Sequence, residues 1–234
     1  MKRQYFAALV LGTMCLCSAA PARATLLSTL LGDGGSIQVG DKLFNGFTYL
    51  STGDMPDPST INVLAYVDPA GDYGLQFQGA FLDFLGGSGS DALLGFHVTV
   101  LDPNISITGA TLTGNPSVLG GNGIVSVTET FLPSNSLASM SIYSIAPGTN
   151  KLTDSVTFAQ GYQSLYVQKD ILAFAAGSNG GVPTLSFITQ TFQQSPAISI
   201  PEPTSAVLLG IGLAGLAWLR RKHSSFRPTS LGST

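Results

Sequence analysis

Nine stretches of alternating apolar and polar residues constrain the fold of this chain more than any other feature. They are rich in Val, Ile, Thr, Phe and Tyr, and clusters of Gly, Asn, Pro or Asp separate them. Such segments are typical of short β-strands joined by turns, and residues 25–200 show no convincing helical periodicity. The stretches are residues 60–67, 74–84, 93–101, 105–114, 123–132, 138–145, 154–159, 163–175 and 183–194. Their spacing predicts an all-β domain of eight to ten strands, an antiparallel, jelly-roll-like β-sandwich whose two sheets share one core.

Residues 1–24 have the features of an export signal. Lys2 and Arg3 form a short basic region, and residues 6–17 form an apolar run that is too short to span a bilayer well. Ala22 and Ala24 supply the small residues that signal peptidase requires before its cleavage site. We therefore expect signal peptidase to cleave after Ala24.

Cleavage at this point removes every cysteine of the chain. Cys15 and Cys17 are the two cysteines of the sequence, and both precede Ala24. The exported protein is then predicted to have no disulfide, no thiol nucleophile and no thiolate metal ligand. Its stability must come from its core, for which residues 25–195 are long enough.

The exported region is acidic. Residues 25–200 contain three lysines, eleven aspartates and one glutamate, a net charge of −9. Nucleic acids and anionic lipid surfaces bind proteins of the opposite sign, so this charge argues against both as partners. Solubility outside the cell is the simpler explanation of the charge.

The C-terminal segment consists of three consecutive parts. Pro201, Glu202 and Pro203 precede an uncharged stretch, residues 204–219, which as a helix would be about 24 Å long against a hydrocarbon core of about 30 Å. A basic stop follows, formed by Arg220, Arg221 and Lys222, and the positive-inside rule places it in the cytoplasm. We predict a linker at 196–200, a sorting segment at 201–223 with a short transmembrane helix at 204–219, and a cytoplasmic tail at 224–234.

This order of parts resembles the PEP-CTERM sorting signal of Gram-negative bacteria, which some ice-binding proteins also carry. The resemblance implies recognition by a membrane-embedded exosortase, a cysteine transpeptidase that processes the protein near residues 201–203. It also implies an inner membrane-anchored precursor, and a final location at the cell surface or in an exopolysaccharide or biofilm matrix. The chain departs from the usual pattern because it continues for twelve residues beyond Lys222. The strands upstream resemble small secreted β domains that precede such tails, a likeness that implies no activity.

Three aspartates are candidate calcium ligands. Asp68 and Asp72 lie in one expected turn, and Asp91 occupies the acidic position of a single copy of a nine-residue calcium-binding repeat at residues 86–94. That repeat binds metal between stacked copies, so a transition from loop to strand is the favoured interpretation. Aspartates in turns also serve as acceptors for backbone N–H groups, which needs no metal. We expect no other cofactor.

The sequence offers little for a hydrolase. Glu129 is the only glutamate of residues 25–200, so a pair of catalytic glutamates is excluded there. His97 is the only histidine of that region, and alternation predicts that Phe96 and Val98 share one strand face and His97 the other. No Gly-x-Ser-x-Gly motif is present. We therefore expect no enzymatic activity, and an Asp-based hydrolase is the third and last class of function.

Two non-enzymatic functions remain open. The favoured one is a structural or adhesive component of the cell surface or exopolysaccharide layer, and a plainly membrane-anchored surface protein is a variant of it. The alternative is a carbohydrate-binding module that contacts exopolysaccharide through tyrosines, although the only tryptophan, Trp218, lies in the tail. The sequence shows no regular Thr-x-Thr ladder of the kind that would present a flat threonine array. The available tyrosines are Tyr49, Tyr66, Tyr73, Tyr143, Tyr162 and Tyr166.

Overall fold

The computed structural model describes residues 24–132, residues 139–196 and Leu213. Contacts divide the chain into two units, Met1–Ser195 and Pro196–Thr234. The described residues of the first unit form β-strands joined by short connections, together with a helix α1 of one turn (Leu27–Leu30) and a 3₁₀ turn (Pro58–Thr60). This part of the chain is therefore all-β, as the sequence predicts.

Fourteen strands are formed by the described residues. In chain order they are β1 (Thr25–Leu26), β2 (Ser36–Val39), β3 (Lys42–Thr52), β4 (Asn62–Val67), β5 (Tyr73–Leu82), β6 (Ser90–Val100), β7 (Ile105–Gly114), β8 (Ser117–Leu119), β9 (Gly123–Leu132), β10 (Met140–Ala146), β11 (Asn150–Lys151), β12 (Thr153–Tyr162), β13 (Ser164–Ala175) and β14 (Val182–Pro196). All nine predicted stretches coincide with strands. The long strand β3 and the short strands β1, β2, β8 and β11 were not predicted, so the number of strands exceeds the eight to ten expected from the sequence.

The strands form two mostly antiparallel sheets of seven strands each. The first sheet has the order β1-β4-β5-β14-β7-β12, and β8 pairs with β14. The second has the order β11-β10-β9-β13-β6-β3-β2. From β5 onward the long strands mostly alternate between the two sheets, so that β13 and β14, which are consecutive in the chain, lie in different sheets.

The two sheets face each other across one apolar core. Phe44 and Phe96 of the second sheet meet Phe192 and Phe77 of the first, with ring centroids 6.0 Å apart for Phe44 and Phe192 and 5.8 Å apart for Phe77 and Phe96. All four rings are fully buried. Because each buried large apolar side chain contributes about 1.5–3 kcal/mol, this aromatic layer is a main source of the stability of a domain without disulfides.

Strand alternation decides which residues enter this core. Along β13, Leu165, Val167, Lys169 and Ile171 are buried, whereas the residues that alternate with them are partly or fully exposed. The side chains of a strand point alternately to its two faces, so a period of two residues in the sequence becomes one buried and one open face. The same rule places the functional residues described below.

The predicted terminal helices lie outside the described residues. These are the signal segment, of which only Ala24 is described, and the transmembrane helix at residues 204–219, of which only Leu213 is described and is helical. In the part of the chain that the structure describes, no helix has the length and apolar character needed to cross a membrane.

Candidate functional site

A groove crosses four adjacent strands on the outer face of the first sheet. It runs over β4, β5, β14 and β7, and its volume is about 390 Å³, within the range of roughly 300–1,000 Å³ typical of ligand sites. We call it the Gln/Thr groove. The nine lining residues are Tyr66, Asp68, Pro69, Gln76, Thr111, Thr113, Phe187, Thr189 and Thr191.

Alternation along β14 directs two threonines into the floor of the groove. Ile188 and Phe192 are fully buried in the core, so Thr189 and Thr191 belong to the opposite, outer face. These two threonines are nevertheless only 6% and 3% exposed, because neighbouring strands flank them. An outward-facing threonine that is this well enclosed forms the bottom of a depression.

Hydrogen bonds fix the polar side chains of the groove. Gln76 donates from Nε2 to Oγ1 of Thr189 at 3.0 Å, and Gln193 donates from Nε2 to Oγ1 of Thr111 at 2.8 Å. Thr191 donates from Oγ1 to Oδ2 of Asp68 at 3.2 Å. Hydroxyl and amide groups both donate and accept hydrogen bonds, so the groove presents a fixed array of groups of both kinds.

Aromatic rings and a glycine shape the groove. Tyr66 pairs with Gly74 across β4 and β5, and Gly74 pairs with Thr191 across β5 and β14. One row across the sheet therefore contains the Tyr66 ring, Gly74 without a side chain, and the Thr191 hydroxyl. Phe187 of β14 supplies a second ring. Apolar surface beside fixed hydrogen-bonding groups is the usual composition of a small-ligand site.

The predicted calcium ligands Asp68 and Asp72 lie in the turn between β4 and β5. Oδ1 of Asp68 accepts hydrogen bonds from the backbone N–H groups of Ala70 and Asp72, each at 2.9 Å. Burial, and then the charge of Asp68, raise the pKa of Asp72. The Asp68 carboxylate thus stabilises the turn by accepting backbone hydrogen bonds, which is the metal-free explanation of this aspartate given by the sequence.

Asp91 lies far from this turn in the topology, on β6 of the second sheet. Strand β6 begins at Ser90, so residues 86–94 are a transition from loop to strand, as favoured from the sequence. Burial, and then the neighbouring Asp91, raise the pKa of Asp170. Among the described residues no group of three or more His, Cys, Asp or Glu side chains could hold a metal ion, and calcium binding stays a prediction.

His97 lies on the outer face of the second sheet. Phe96 and Val98 are fully buried and His97 is exposed, which confirms the alternation predicted from the sequence. The imidazole ring packs against Tyr166 with ring centroids 4.8 Å apart. Tyr166 in turn shares a hydrogen bond of 3.2 Å with Thr48. These contacts are those of an exposed residue on the surface of a strand, as the sequence predicts for His97.

Sequence reasoning missed most of the Gln/Thr groove. It found Tyr66 among the tyrosines, but it did not identify the four threonines that line the groove. Two triplets on neighbouring strands are still not the regular Thr-x-Thr ladder that the sequence lacks. Thr111 and Thr113 form one Thr-x-Thr triplet, Thr189 and Thr191 form another, and the adjacent strands β7 and β14 bring the two triplets together. Each triplet was visible in the sequence, but their adjacency depends on the order of the strands.

The residues predicted for sorting are not part of this site. The motif residues Pro201, Glu202 and Pro203 and the basic stop at residues 220–222 lie outside the described residues, as does Ala22. Ala24 is exposed and precedes β1. Cleavage after Ala24 stays a prediction.

Comparison with solved structures gives distant likenesses. One is a carbohydrate-binding module, TmCBM61, in complex with β-1,4-galactotriose, at 10% identity and a TM-score of 0.26, covering 62% of this chain and 88% of the other. Another is the enzymatically active domain of tailspike protein 4 of bacteriophage CBA120, at 14% identity and a TM-score of 0.25, covering 63% and 19%.

Comparison with curated proteins gives no match. The comparison with family models matches residues 199–222 to the PEP-CTERM protein-sorting motif, which includes the residues 201–222 that carry the resemblance in the sequence. This motif implies an exported, sorted protein and processing by an exosortase. The chain therefore carries a PEP-CTERM sorting motif at its C-terminus.

Proposed function

We propose that this protein is an exported, non-enzymatic component of the cell surface or exopolysaccharide layer, and that it binds polysaccharide in the Gln/Thr groove. The carrying observation is the groove itself, with its fixed hydroxyl and amide groups between Tyr66 and Phe187. The proposal joins the two functions left open by the sequence, since a matrix component that binds polysaccharide is adhesive.

The chemistry of the groove suits a chain of sugars. Each sugar unit presents several hydroxyl groups, which need partners that can both donate and accept, as Gln76 and Thr189 can. Sugar rings also have faces made of C–H groups, which pack against the negative π-face of an aromatic ring. The groove crosses four strands on the outer face of the sheet, so we propose that it holds one segment of a long polymer.

The charge of the domain selects a neutral polysaccharide. Asp68 is the only charged residue among the nine that line the groove, and the exported region has a net charge of −9. A glycan rich in carboxylates or sulfates would meet repulsion there and no cation to pair with. We therefore propose a neutral, hydroxyl-rich exopolysaccharide as the ligand.

Sorting brings the protein to this ligand. We propose that signal peptidase removes residues 1–24, that residues 204–219 hold the precursor in the inner membrane, and that an exosortase processes it near Glu202. The test is the intact mass of protein recovered from the cell surface and the medium, for the unaltered chain and for Glu202→Ala. Loss of the sequence beyond the motif in the unaltered chain, and its retention in Glu202→Ala, is expected. Unaltered protein that still contains residues 201–234 would instead identify a permanent anchor.

Binding is tested by retention of the exported protein on neutral polysaccharides, including that of the producing cells. Tyr66→Ala and Thr189→Val are expected to weaken binding by about tenfold or more, because each removes a central contact worth about 1.4 kcal/mol. Tyr143→Ala is the matched control, since Tyr143 belongs to β10 of the other sheet. Equal retention of all three variants, or no retention of the unaltered protein, would refute the assignment of the groove.

A further inference from the structure

Three polar side chains meet inside the apolar core, between the two sheets. Glu129 of β9 and Lys169 of β13 are register partners in the second sheet, and Gln190 of β14 reaches them from the first. All three are fully buried. The Nζ atom of Lys169 contacts Oε2 of Glu129 and donates a hydrogen bond to Oε1 of Gln190 at 2.6 Å. We call these residues the core triad.

Burial of an ion pair at this position is unfavourable in free energy. Removing two charges from water costs several kcal/mol for each ion, and further hydrogen bonds must compensate for that cost. Oε1 of Glu129 has no hydrogen-bond partner among the described residues. When Lys169 and Glu129 are both charged, hydrogen bonds therefore compensate only in part for the cost of burying the two charges.

Burial favours the neutral forms of both partners. It raises the pKa of Glu129 and lowers the pKa of Lys169, while the opposite charge of each partner acts against these shifts. Transfer of one proton from Lys169 to Glu129 gives a neutral amine and a neutral carboxylic acid. A neutral lysine in an apolar pocket is a nucleophile, and the carboxylic acid beside it can exchange protons with the reacting groups.

The geometry points to an intramolecular isopeptide bond between Lys169 and Gln190, formed within the core triad. The side-chain carbonyl carbon of Gln190 is one bond beyond the oxygen that Lys169 already contacts, so a small displacement of Nζ brings the reacting atoms together. The Nζ–Cδ bond forms, the Cδ–Nε2 bond breaks, and ammonia leaves. Glu129, as the carboxylic acid, gives its proton to the departing nitrogen, and the resulting carboxylate takes the proton that Nζ loses when the amide forms. The reaction needs no oxidant and no co-reactant.

The position of the bond gives it a structural purpose. Lys169 and Gln190 belong to different sheets, so the amide would join the two layers of the sandwich covalently. Loss of Cys15 and Cys17 with the signal segment would leave the exported chain without disulfides. An amide also withstands reducing conditions that would break a disulfide.

A second lysine provides an internal comparison. Lys42 is also buried and also contacts a glutamine of β14, Gln194, and an acid, Asp41. Its surroundings differ, because the side chain of Asp41 is 24% exposed and Gln194 is only half-buried. Burial lowers the pKa of Lys42 as well, but its acid and its glutamine are less enclosed than Glu129 and Gln190, so we expect no amide there.

The experiment is the intact mass of the folded, exported protein, followed by proteolysis and fragment sequencing. We expect a mass below that of the processed sequence by one molecule of ammonia, and a branched peptide that joins residues of β13 to residues of β14. Lys169→Arg and Glu129→Gln are expected to restore the full sequence mass, with circular dichroism used to verify that they fold. Lys42→Met is the matched control and should keep the loss.

The mass of the unaltered protein decides the outcome by itself, so the test is valid even if the core variants fail to fold. A folded protein with the full mass of its processed sequence would overturn the proposal. Loss of one water instead of one ammonia, mapped to Lys169 and Glu129, would overturn the assignment of Gln190. The branched peptide is identified from fragments of β13 and β14, so this readout depends neither on polysaccharide binding nor on where an exosortase cleaves the chain.

Discussion

Replacement of Phe96 by alanine should show how strongly the stability of the domain depends on a central ring of the aromatic layer. Phe96 is fully buried, and its ring lies 6.0 Å from Phe44, 5.8 Å from Phe47 and 5.8 Å from Phe77, measured between centroids. Truncation of a phenylalanine in such a position costs about 3–5 kcal/mol, from lost transfer free energy and from the cavity that remains. A domain of this size loses about 2–4 °C in Tm for each kcal/mol, so Tm should fall by about 6–20 °C.

Urea unfolding followed by circular dichroism measures this loss, with Phe174→Ala as the matched control. Phe174 is 38% exposed on the outer face of β13, so its truncation should cost about 1 kcal/mol or less. Phe96→Leu preserves most of the volume and should lie between the two variants. If Phe96→Ala lost less than about 1 kcal/mol with an unchanged slope in urea, the two sheets would not depend on this ring for their contact.

Two further predictions concern single residues outside the groove. Tyr49 donates a hydrogen bond to the carbonyl oxygen of Pro56 at 2.9 Å, and burial raises the pKa of Tyr49 to about 12. The native state therefore holds this proton more tightly than the unfolded chain does. Stability that is present below about pH 10 should be lost as the pH rises toward 12. In urea unfolding midpoints measured from pH 8 to 12, Tyr49→Phe should show a weaker dependence on pH. Gly46 has a φ of 62° within β3, so Gly46→Ala should lower the free energy of unfolding in urea by about 1–2 kcal/mol. Gly32→Ala is the control and should be nearly neutral, because its added Cβ comes no closer than 3.8 Å to a neighbour. Equal losses for the two variants would contradict the argument from backbone conformation.

The sequence predicted the strands because the alternation is strong, and it missed β3 for a physical reason. Asn45 and Gly46 form a dipeptide that normally marks a turn between strands. Here the chain continues through it as a β-bulge, with a shift of register against β6 between Asn45 and Thr48. Gly46 adopts the left-handed conformation that such a bulge requires. A turn signal and a bulge signal use the same residues, and only the partner strand distinguishes them.

The core triad was within reach of sequence reasoning. Glu129 has the same parity as Val125 and Val127, and Lys169 has the same parity as Val167 and Ile171, so alternation alone places both charges inside. What alternation could not supply is their proximity, which depends on the pairing of β9 with β13. The Gln/Thr groove needed the same kind of information, because distant segments of the chain build it.

The order of strands in the first sheet has a consequence for how the protein matures. Strand β14 is the last strand of the described chain, yet it lies between β5 and β7, so it fills the centre of a sheet whose neighbours have been synthesised much earlier. Until residues 182–196 have crossed the membrane, β5 and β7 each present an unpaired edge, and such edges invite association with other chains. Completion of the fold is thus delayed to the end of translocation, and a chain truncated before Val182 would lack both the groove floor and one partner of the core triad. Export of this protein therefore leaves two sheet edges open until the final strand arrives.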